Sequence, residues 1–179
     1  MPKLLQIAQL GHQILRKKAD PVKNVKDIYI QNLIDDLIAT VVEVNGVGIA
    51  APQVYEPYQI FVIASHPNLR YPDAPKMEPI AIINPKINSH SEDLVKDWEG
   101  CLSIPGIRGL VPRYKSISVE YTTRNGERKE RELTDFIARI FQHEYDHLNG
   151  TVFLDRLESN KDIITEKEYQ KLIFRGQRD

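Results

Sequence analysis

A chain of 179 residues is long enough for one domain with a substantial core but short for two, so we expect a single domain over residues 1–179. Hydrophobic residues make up 41% of the sequence and charged residues 27%, which is typical of a globular protein and excludes a disordered or fibrous one. The 24 basic and 25 acidic residues give a net charge of −1, so the charge balance indicates neither a nucleic-acid-binding surface nor a polybasic membrane patch.

The N-terminal segment contains no long apolar run followed by a small-residue cleavage site, so it does not resemble a signal peptide. No stretch reaches the roughly 20 apolar residues that a membrane helix needs. Cys101 is the single cysteine, which excludes an internal disulfide and suits a reducing compartment. We therefore expect a cytoplasmic protein of the bacterial type that does not act at a membrane.

The first predicted helix starts near Lys26 and ends at Asn45-Gly46, a dipeptide that often terminates helices. Its apolar residues recur at helical spacing and form one broad face that is expected to pack on the core. These residues are Ile30, Leu33, Ile34, Leu37, Ile38, Val41 and Val42.

Short β-like runs follow the helix. They cover residues 59–64, 80–87, 116–122 and 128–133. Asn125-Gly126 lies between the last two runs and is the favoured centre of a two-residue hairpin turn. The segment 66–79 contains four prolines, which interrupt helices and strands, so it is predicted to be a surface loop.

A second helix is predicted over residues 135–147, with Thr134 as its N-cap and Gly150 just beyond its end. A third, polar helix over 164–174 closes the chain, so that residues 1–160 form the core and 161–179 a terminal helix and tail. Helices separated by hairpin-like strands indicate an α+β fold with antiparallel sheets.

The second helix carries the sequence QHEYDH (142–147). Phe136, Ile140, His143 and His147 advance by four, three and four residues, so their side chains share one face. Two imidazoles one turn apart can bind a single ion, and Glu144 at the edge of that face lies near any water that the ion holds. A solvated helix with alternating charges is the alternative. Because unpartnered histidines on an apolar face are costly, we favour a metal-binding helix at the centre of the fold.

The third ligand of such an ion has two candidates. Cys101, in the stretch DWEGCLSIPG, would bind as a thiolate, whereas Glu166 would complete the site as in one group of HExxH peptidases. A free cysteine is most often a small buried hydrophobe, but the polar neighbours Glu99 and Ser103 argue against that environment here. The thiolate is favoured and the glutamate stays open. A non-catalytic structural metal would need a fourth ligand, and no second cysteine is available.

The stretch GVGIAAPQ (46–53) follows the first helix and combines small residues with Gln53. It is typical of a tight turn into a buried strand. It is equally compatible with a wall of small residues along which an extended peptide adds a strand, with the Gln53 amide as a hydrogen-bond donor.

Three stretches together resemble the peptide deformylases: GVGIAAPQ, EGCLS (99–103) and QHEYDH, in this order and at compatible separations. Weaker similarity runs through INPKI (83–87), LVPRY (110–114) and the hairpin, so the resemblance covers the chain from about residue 10 to 158. The proline-rich insertion and the segment 138–140 look like the deformylases of organelles and their bacterial relatives.

The resemblance implies an enzyme that removes the formyl group from the N-terminal formylmethionine of nascent polypeptides. Three residues would be the metal ligands: Cys101, His143 and His147. The ion would be Fe2+ in its native form, with Zn2+, Ni2+ or Co2+ as alternatives. Glu144 would act as general base and then acid, while the Gln53 amide and the Leu102 N–H would stabilise the oxyanion.

Six residues are expected to bind the substrate: Val47, Gly48, Gly100, Phe136, Ile140 and Arg108. The first three would pair with the peptide backbone, and Phe136 and Ile140 would line an apolar pocket for methionine. Arg108 would meet the peptide beyond the methionine, unless it is simply an exposed, solvated arginine.

Further residues are expected to support or modify the site. Glu99 and Arg113 would form an ion pair. Asp146 could orient a ligand, but we favour the alternative that it is a solvated helix charge. Trp98 and Arg139 depart from the usual family pattern, and Arg139 is expected to point away from the site. A ribosome contact by the last helix follows only from family analogy, and its mixed charges favour a solvated helix.

Overall fold

The structure is a computed structural model that describes the backbone of residues 1–176 and the side chains of residues 1–174, so residues 177–179 of the predicted tail lie outside the described part of the chain. The described residues form three α-helices: α1 over Ile28–Glu43, α2 over Asp135–Leu148 and α3 over Glu166–Gly176. The Asp27 side chain caps α1 by accepting a hydrogen bond from the Tyr29 N–H. Within this part of the chain, no helix combines the length and apolar content required to cross a membrane.

Eight strands form two antiparallel sheets within the described residues. They are β1 (Gly48–Ala50), β2 (Ile60–Ile63), β3 (Ile80–His90), β4 (Leu94–Cys101), β5 (Ile104–Tyr114), β6 (Ser116–Thr122), β7 (Arg128–Thr134) and β8 (Ile163–Thr165). The first sheet has the order β1-β2-β3-β6-β7 and the second the order β4-β5-β8. The predicted α+β fold with antiparallel sheets is therefore confirmed.

The core lies on both faces of the larger sheet. Ile60 and Val62 pack with the apolar face of α1, whereas Phe61 and Ile63 point to the opposite face and pack with α2. Helix α2 also contacts β5 of the smaller sheet. It is thus the central element predicted from the sequence, and its HExxH motif lies in the part of the helix between the two sheets.

Four strands coincide with the predicted runs, and β1 is the buried strand that one interpretation of GVGIAAPQ predicted, whereas β4, β5 and β8 were not predicted. Strand β5 contains Pro105 and Pro112, which are usual signs of a loop. Pro112 is tolerated because β8 covers only Ile107–Gly109 of β5, so Pro112 lies beyond the paired part of that edge. The last helix was predicted to begin at residue 164, but residues 163–165 form β8. Pairing with β5 overrides the local helix preference there.

The hairpin between β6 and β7 is present but its turn differs from the prediction. The Thr123 N–H donates to the Glu127 carbonyl at 2.8 Å, which leaves Arg124, Asn125 and Gly126 as a three-residue loop. Gly126 has a φ of 84°, the left-handed conformation that this longer loop requires.

Candidate metal centre

Cys101, His143 and His147 form the candidate ligand group. The three ligand atoms lie within 4.8 Å of one another, and Cys101 Sγ is 3.3 Å from His147 Nε2. A tetrahedral ion with ordinary metal–sulfur and metal–nitrogen bonds holds its ligands about 3.3–3.8 Å apart. A thiolate with two imidazoles is also a ligand set that borderline divalent metals accept. The residues therefore fit a single divalent ion.

Two different elements bring these ligands together. His143 and His147 lie one turn apart on α2, and their ring centroids are 5.2 Å apart. Cys101 is the last residue of β4, directly after an irregularity in which the pairing shifts from Glu99–Gly109 to Cys101–Ile104. Glu166, the alternative third ligand, is not part of the group. Its carboxylate instead accepts a hydrogen bond from Arg108 Nε at 2.6 Å.

Glu99 orients the first histidine. Its Oε2 lies 2.8 Å from His143 Nδ1, which leaves Nε2 of that ring for the ligand group. Two arginines also donate to the buried carboxylate: Arg113 through Nε at 2.9 Å and Nη2 at 3.0 Å, and Arg139 through Nη1 at 2.8 Å. Burial alone would raise the pKa of Glu99, but the charge of Arg113 and the hydrogen bonds from His143 and Arg113 hold it well below its usual range. Glu99 is therefore an anion in the folded protein.

Two expectations about the charges near Glu99 are wrong. Asp146 is not a solvated helix charge: it is 5% exposed and accepts hydrogen bonds from Arg113 at 2.6 Å and from Arg156 at 2.7 Å. Arg139 does not point away from the site. It lines the cavity and donates to the carbonyls of Val111 at 2.9 Å and Val95 at 2.6 Å, in addition to Glu99. Both residues can be buried because they are paired: Asp146 with two arginines, and Arg139 with one carboxylate and two carbonyl oxygens.

Glu144 lies beside the ligand group in a desolvated position. It is 4% exposed, and its Oε2 has no hydrogen-bond partner within the described residues. Burial raises the pKa of Glu144 to about 7, although the neighbouring His143 acts in the opposite direction. A carboxylate with such a pKa can both accept and return a proton near neutral pH.

Gly48 on β1 allows the strand to approach Glu144. A Cβ atom at this position would lie 2.5 Å from Glu144 Oε1 and 3.0 Å from Ile140 Cγ2, so no larger residue fits without a shift. Strand β1 is an edge strand of the larger sheet, and β4, which ends at Cys101, is an edge strand of the smaller one. An edge strand from each sheet therefore borders the candidate site.

The side chain of Gln53 is fixed in one orientation. Its Oε1 accepts a hydrogen bond from the Ala50 N–H at 2.8 Å, and its Nε2 donates to Ser103 Oγ at 3.2 Å and lies 3.4 Å from Cys101 Sγ. Because the carbonyl oxygen is held by Ala50, the NH2 group faces the ligand group. A preorganised donor of this kind stabilises negative charge that develops next to it.

The site residues predicted from the sequence meet in one place. His147 belongs to the ligand group, and the other eleven line a single cavity: Val47, Gly48, Gln53, Gly100, Cys101, Leu102, Arg108, Phe136, Ile140, His143 and Glu144. Arg108 is 2% exposed, so the alternative of a solvated arginine is wrong. Arg70 and Tyr71 also line the cavity but were not predicted, since they belong to the proline-rich loop, whose sequence gives no sign of where it folds back.

The α+β fold and the HExxH helix define the chain as a metal-dependent hydrolase. The model of the polypeptide deformylase family matches residues 4–162. A curated relative, peptide deformylase 2 of Nostoc sp., is 61% identical over 98% of both chains, and peptide deformylase 2 of Shewanella oneidensis is 46% identical over 93% of this chain and 91% of its own length. The chain belongs to the polypeptide deformylase family, metal-dependent enzymes that remove the formyl group from N-formylmethionine.

Solved structures agree with this assignment. The class I type b peptide deformylase from Acinetobacter baumannii, bound to Met-Ala-Ser, has a TM-score of 0.85 and 44% sequence identity, and the match covers 88% of this chain and all of that one. The peptide deformylase from Thermotoga maritima has a TM-score of 0.79 and 37% identity over 88% of this chain and 99% of its own. The predicted resemblance and enzyme class are confirmed.

Proposed function

We propose that deformylation takes place in the cavity beside Glu144, with Cys101, His143 and His147 as the ligands of one divalent ion. The observation that supports this most strongly is the ligand group itself, whose three atoms lie within 4.8 Å next to a buried, unpartnered carboxylate oxygen, as judged over the described residues. We further propose Fe2+ as the native ion, with Zn2+, Ni2+ or Co2+ able to replace it. In such a site a divalent ion supplies Lewis acidity and activates water near neutral pH.

Glu144 transfers the proton in this proposal. Its carboxylate accepts the proton of the attacking water and then returns it to the departing amine. The pKa of about 7 supports both steps, because a base of that strength gives up the proton readily. Glu144 Oε2 has no hydrogen-bond partner within the described residues, so it is free to take up the proton.

Gln53 and Leu102 provide the oxyanion donors. The Gln53 NH2 group is held towards the ligand group by the Ala50 N–H, and Leu102 follows Cys101 directly and lines the same cavity. Donors fixed in advance need no reorganisation when charge develops on the formyl oxygen, which is why they lower the barrier.

The peptide lies extended between the two edge strands. Backbone groups near Val47 and Gly48 on one side and Gly100 on the other would pair with it, as in strand addition to a sheet edge. Ile140 and Phe136, about one and two turns before His143, line the apolar pocket for the methionine side chain. We propose that Arg108 contributes to substrate binding from its buried position at the wall of the cavity.

Membership of the family supports the proposed substrate, and the cellular setting is proposed with it. Nascent polypeptides that begin with N-formylmethionine are the substrates, and we propose that they are met in the cytoplasm. A ribosome contact through α3 is a weaker proposal, because mixed charges such as the Glu168–Lys171 pair favour a solvated helix. We also propose that the chain is a single catalytic domain, to which the terminal segment contributes both β8 and α3.

The test uses protein purified without oxygen and loaded with iron or nickel. A formyl-Met-Ala-Ser peptide is supplied, and formate release is followed together with cleavage of internal peptide bonds. We expect formate with an intact peptide chain, and we expect Cys101→Ser to lose the ion and the activity. Internal cleavage without formate, or full metal binding in Cys101→Ser, would contradict the proposed site.

A further inference from the structure

Tyr71 lies at the cavity that is proposed to take the methionine side chain. It belongs to the proline-rich loop at 66–79, far in sequence from the three motifs, yet it lines the cavity together with Phe136 and Ile140. Its ring centroid is 4.9 Å from that of Phe136, with the planes inclined by 50°. Two aromatic rings in this arrangement form a continuous apolar wall.

Arg108 holds Tyr71 in place. Its Nη1 donates to Tyr71 Oη at 2.8 Å, and its guanidinium carbon is 5.3 Å from the centroid of the Tyr71 ring and 4.8 Å from that of Tyr169. The guanidinium is buried, and its charge is balanced by Glu166, with Nε 2.6 Å from Oε2 and Nη2 3.4 Å from Oε1. A planar guanidinium that pairs with a carboxylate and stacks on aromatic rings has little freedom to move.

The same loop is also attached to α3. The Tyr169 hydroxyl donates to the carbonyl oxygen of Arg70, the residue before Tyr71, at 2.9 Å. Arg108 in turn packs against the backbone of β4, since a Cβ atom at Gly100 would lie 2.8 Å from its guanidinium carbon. Hydrogen bonds with Asn68 fix the backbone of Tyr71 within the loop. The Tyr71 side chain is held from outside the loop, by Arg108 on β5.

We propose that Tyr71 is a specificity-determining residue that closes the methionine pocket beside Phe136, and that Arg108 and Glu166 are residues that position it. The inference rests on the proposed function, because it takes the methionine pocket as assigned above. In this proposal, Arg108 affects the choice of substrate by holding Tyr71 in position. It also makes the start of α3 part of the substrate site.

The test compares two peptides, formyl-Met-Ala-Ser and formyl-Ala-Ala-Ser, in the metal-loaded full chain. Tyr71→Ala should lower the ratio of their kcat/KM values about tenfold, because a pocket that loses one wall loses contact with methionine but not with alanine. The loss should appear mainly in KM for the methionine peptide. Tyr71→Phe keeps the ring but removes the hydrogen bond from Arg108, so it should lower the ratio less than Tyr71→Ala and about as much as Glu166→Gln. Tyr29→Ala, a half-exposed tyrosine on α1, is the matched control and should leave it unchanged.

The positioning role has its own readout. Glu166→Gln should lower the Met-to-Ala ratio in the wild-type background and cause no further change in the Tyr71→Ala background, since coupled residues are not additive. Tyr169→Phe, which removes the bond to Arg70, should behave in the same way and serves if Glu166→Gln proves unstable. Equal effects of these changes in both backgrounds would overturn the positioning role.

The outcome for Tyr71 is separable from that of the proposed function. If the wild type releases formate and Glu144→Ala does not, the proposed site holds and the peptide ratio alone decides the role of Tyr71. A Tyr71→Ala variant that loses activity equally on both peptides would overturn the specificity role and leave a structural one. Absence of formate release from the metal-loaded wild type would overturn both.

Discussion

Glu99 Oε2 lies 2.8 Å from Nδ1 of His143, and this contact connects the candidate metal centre to a buried network of charges. Arg113 and Arg139 donate to the same carboxylate, and Arg113 also reaches Asp146 on α2. The network therefore fixes the first histidine from β4, β5 and α2 at once. A histidine held in this way presents one defined ring nitrogen to an ion.

Replacing Glu99 by glutamine should weaken metal binding. The amide keeps the shape of the side chain but removes the negative charge, and loss of such a partner typically costs about 10–100-fold in metal affinity. Competition with a chelator measures the affinity directly. Glu132→Gln on β7, where the side chain is exposed, is the control. Equal affinities of Glu99→Gln and the control would show that the carboxylate does not support His143.

Arg139→Met should destabilise the fold. The substitution keeps much of the apolar stem but removes hydrogen bonds to Glu99 and to the carbonyls of Val95 and Val111. Buried groups left without partners cost about 1–3 kcal/mol. Urea unfolding should show this loss.

Arg128→Met is the matched control for Arg139→Met. Its side chain is 72% exposed and pairs only at the surface with Glu120. Such pairs contribute roughly 0–1 kcal/mol. If both variants unfolded at the same urea concentration, the buried contacts of Arg139 would carry no stability.

Gly48→Ala should reduce activity far more than it reduces stability. The added methyl group would collide with Glu144 Oε1 at 2.5 Å and with Ile140 Cγ2, so either the carboxylate or the strand must move. A displacement of about 1 Å at a catalytic group can cost on the order of 10²-fold in rate. Formate release measured with metal content tests this. Activity close to wild type would show that the approach of β1 to Glu144 is not required.

Gln53→Leu should lower kcat with little change in metal content. Removal of one oxyanion donor typically costs about 10²–10³-fold. Ser103→Ala removes a hydrogen-bond partner of Gln53 but not the donor itself, so it should have a much smaller effect. If the two variants lost activity to the same extent, Gln53 would act only as a structural amide.

The metal helix was predictable because its signal is local. The spacing of His143 and His147 places both on one face of any helix, and Thr134 and Gly150 mark its ends. Cys101 could be assigned as the favoured third ligand from its thiol chemistry and from the family resemblance. The distance between β4 and α2 could not be predicted in this way. That distance depends on how the two sheets pack against the helix.

The roles of Arg139, Asp146 and Tyr71 were not predictable for a related reason. A charged residue on a helix is expected to be solvated unless its partners are known. The partners of Asp146 are Arg113 on β5 and Arg156 beyond the end of α2. Tyr71 lies in a loop that contains four prolines, and its side chain contacts Arg108, which is 37 residues further along the chain. The carbonyl oxygen of Arg70 in the same loop accepts a hydrogen bond from Tyr169, 99 residues further along. Contacts between such distant segments leave no periodic pattern in the sequence.

Glu144 is proposed to transfer the proton at the Cys101–His143–His147 centre. The most direct measurement compares formate release by wild type and Glu144→Ala, with the metal content of both determined on the same samples. We expect a full metal load in both proteins and a loss of about 10²–10⁴-fold in kcat for the variant. Activity within tenfold of wild type at equal metal content would contradict it.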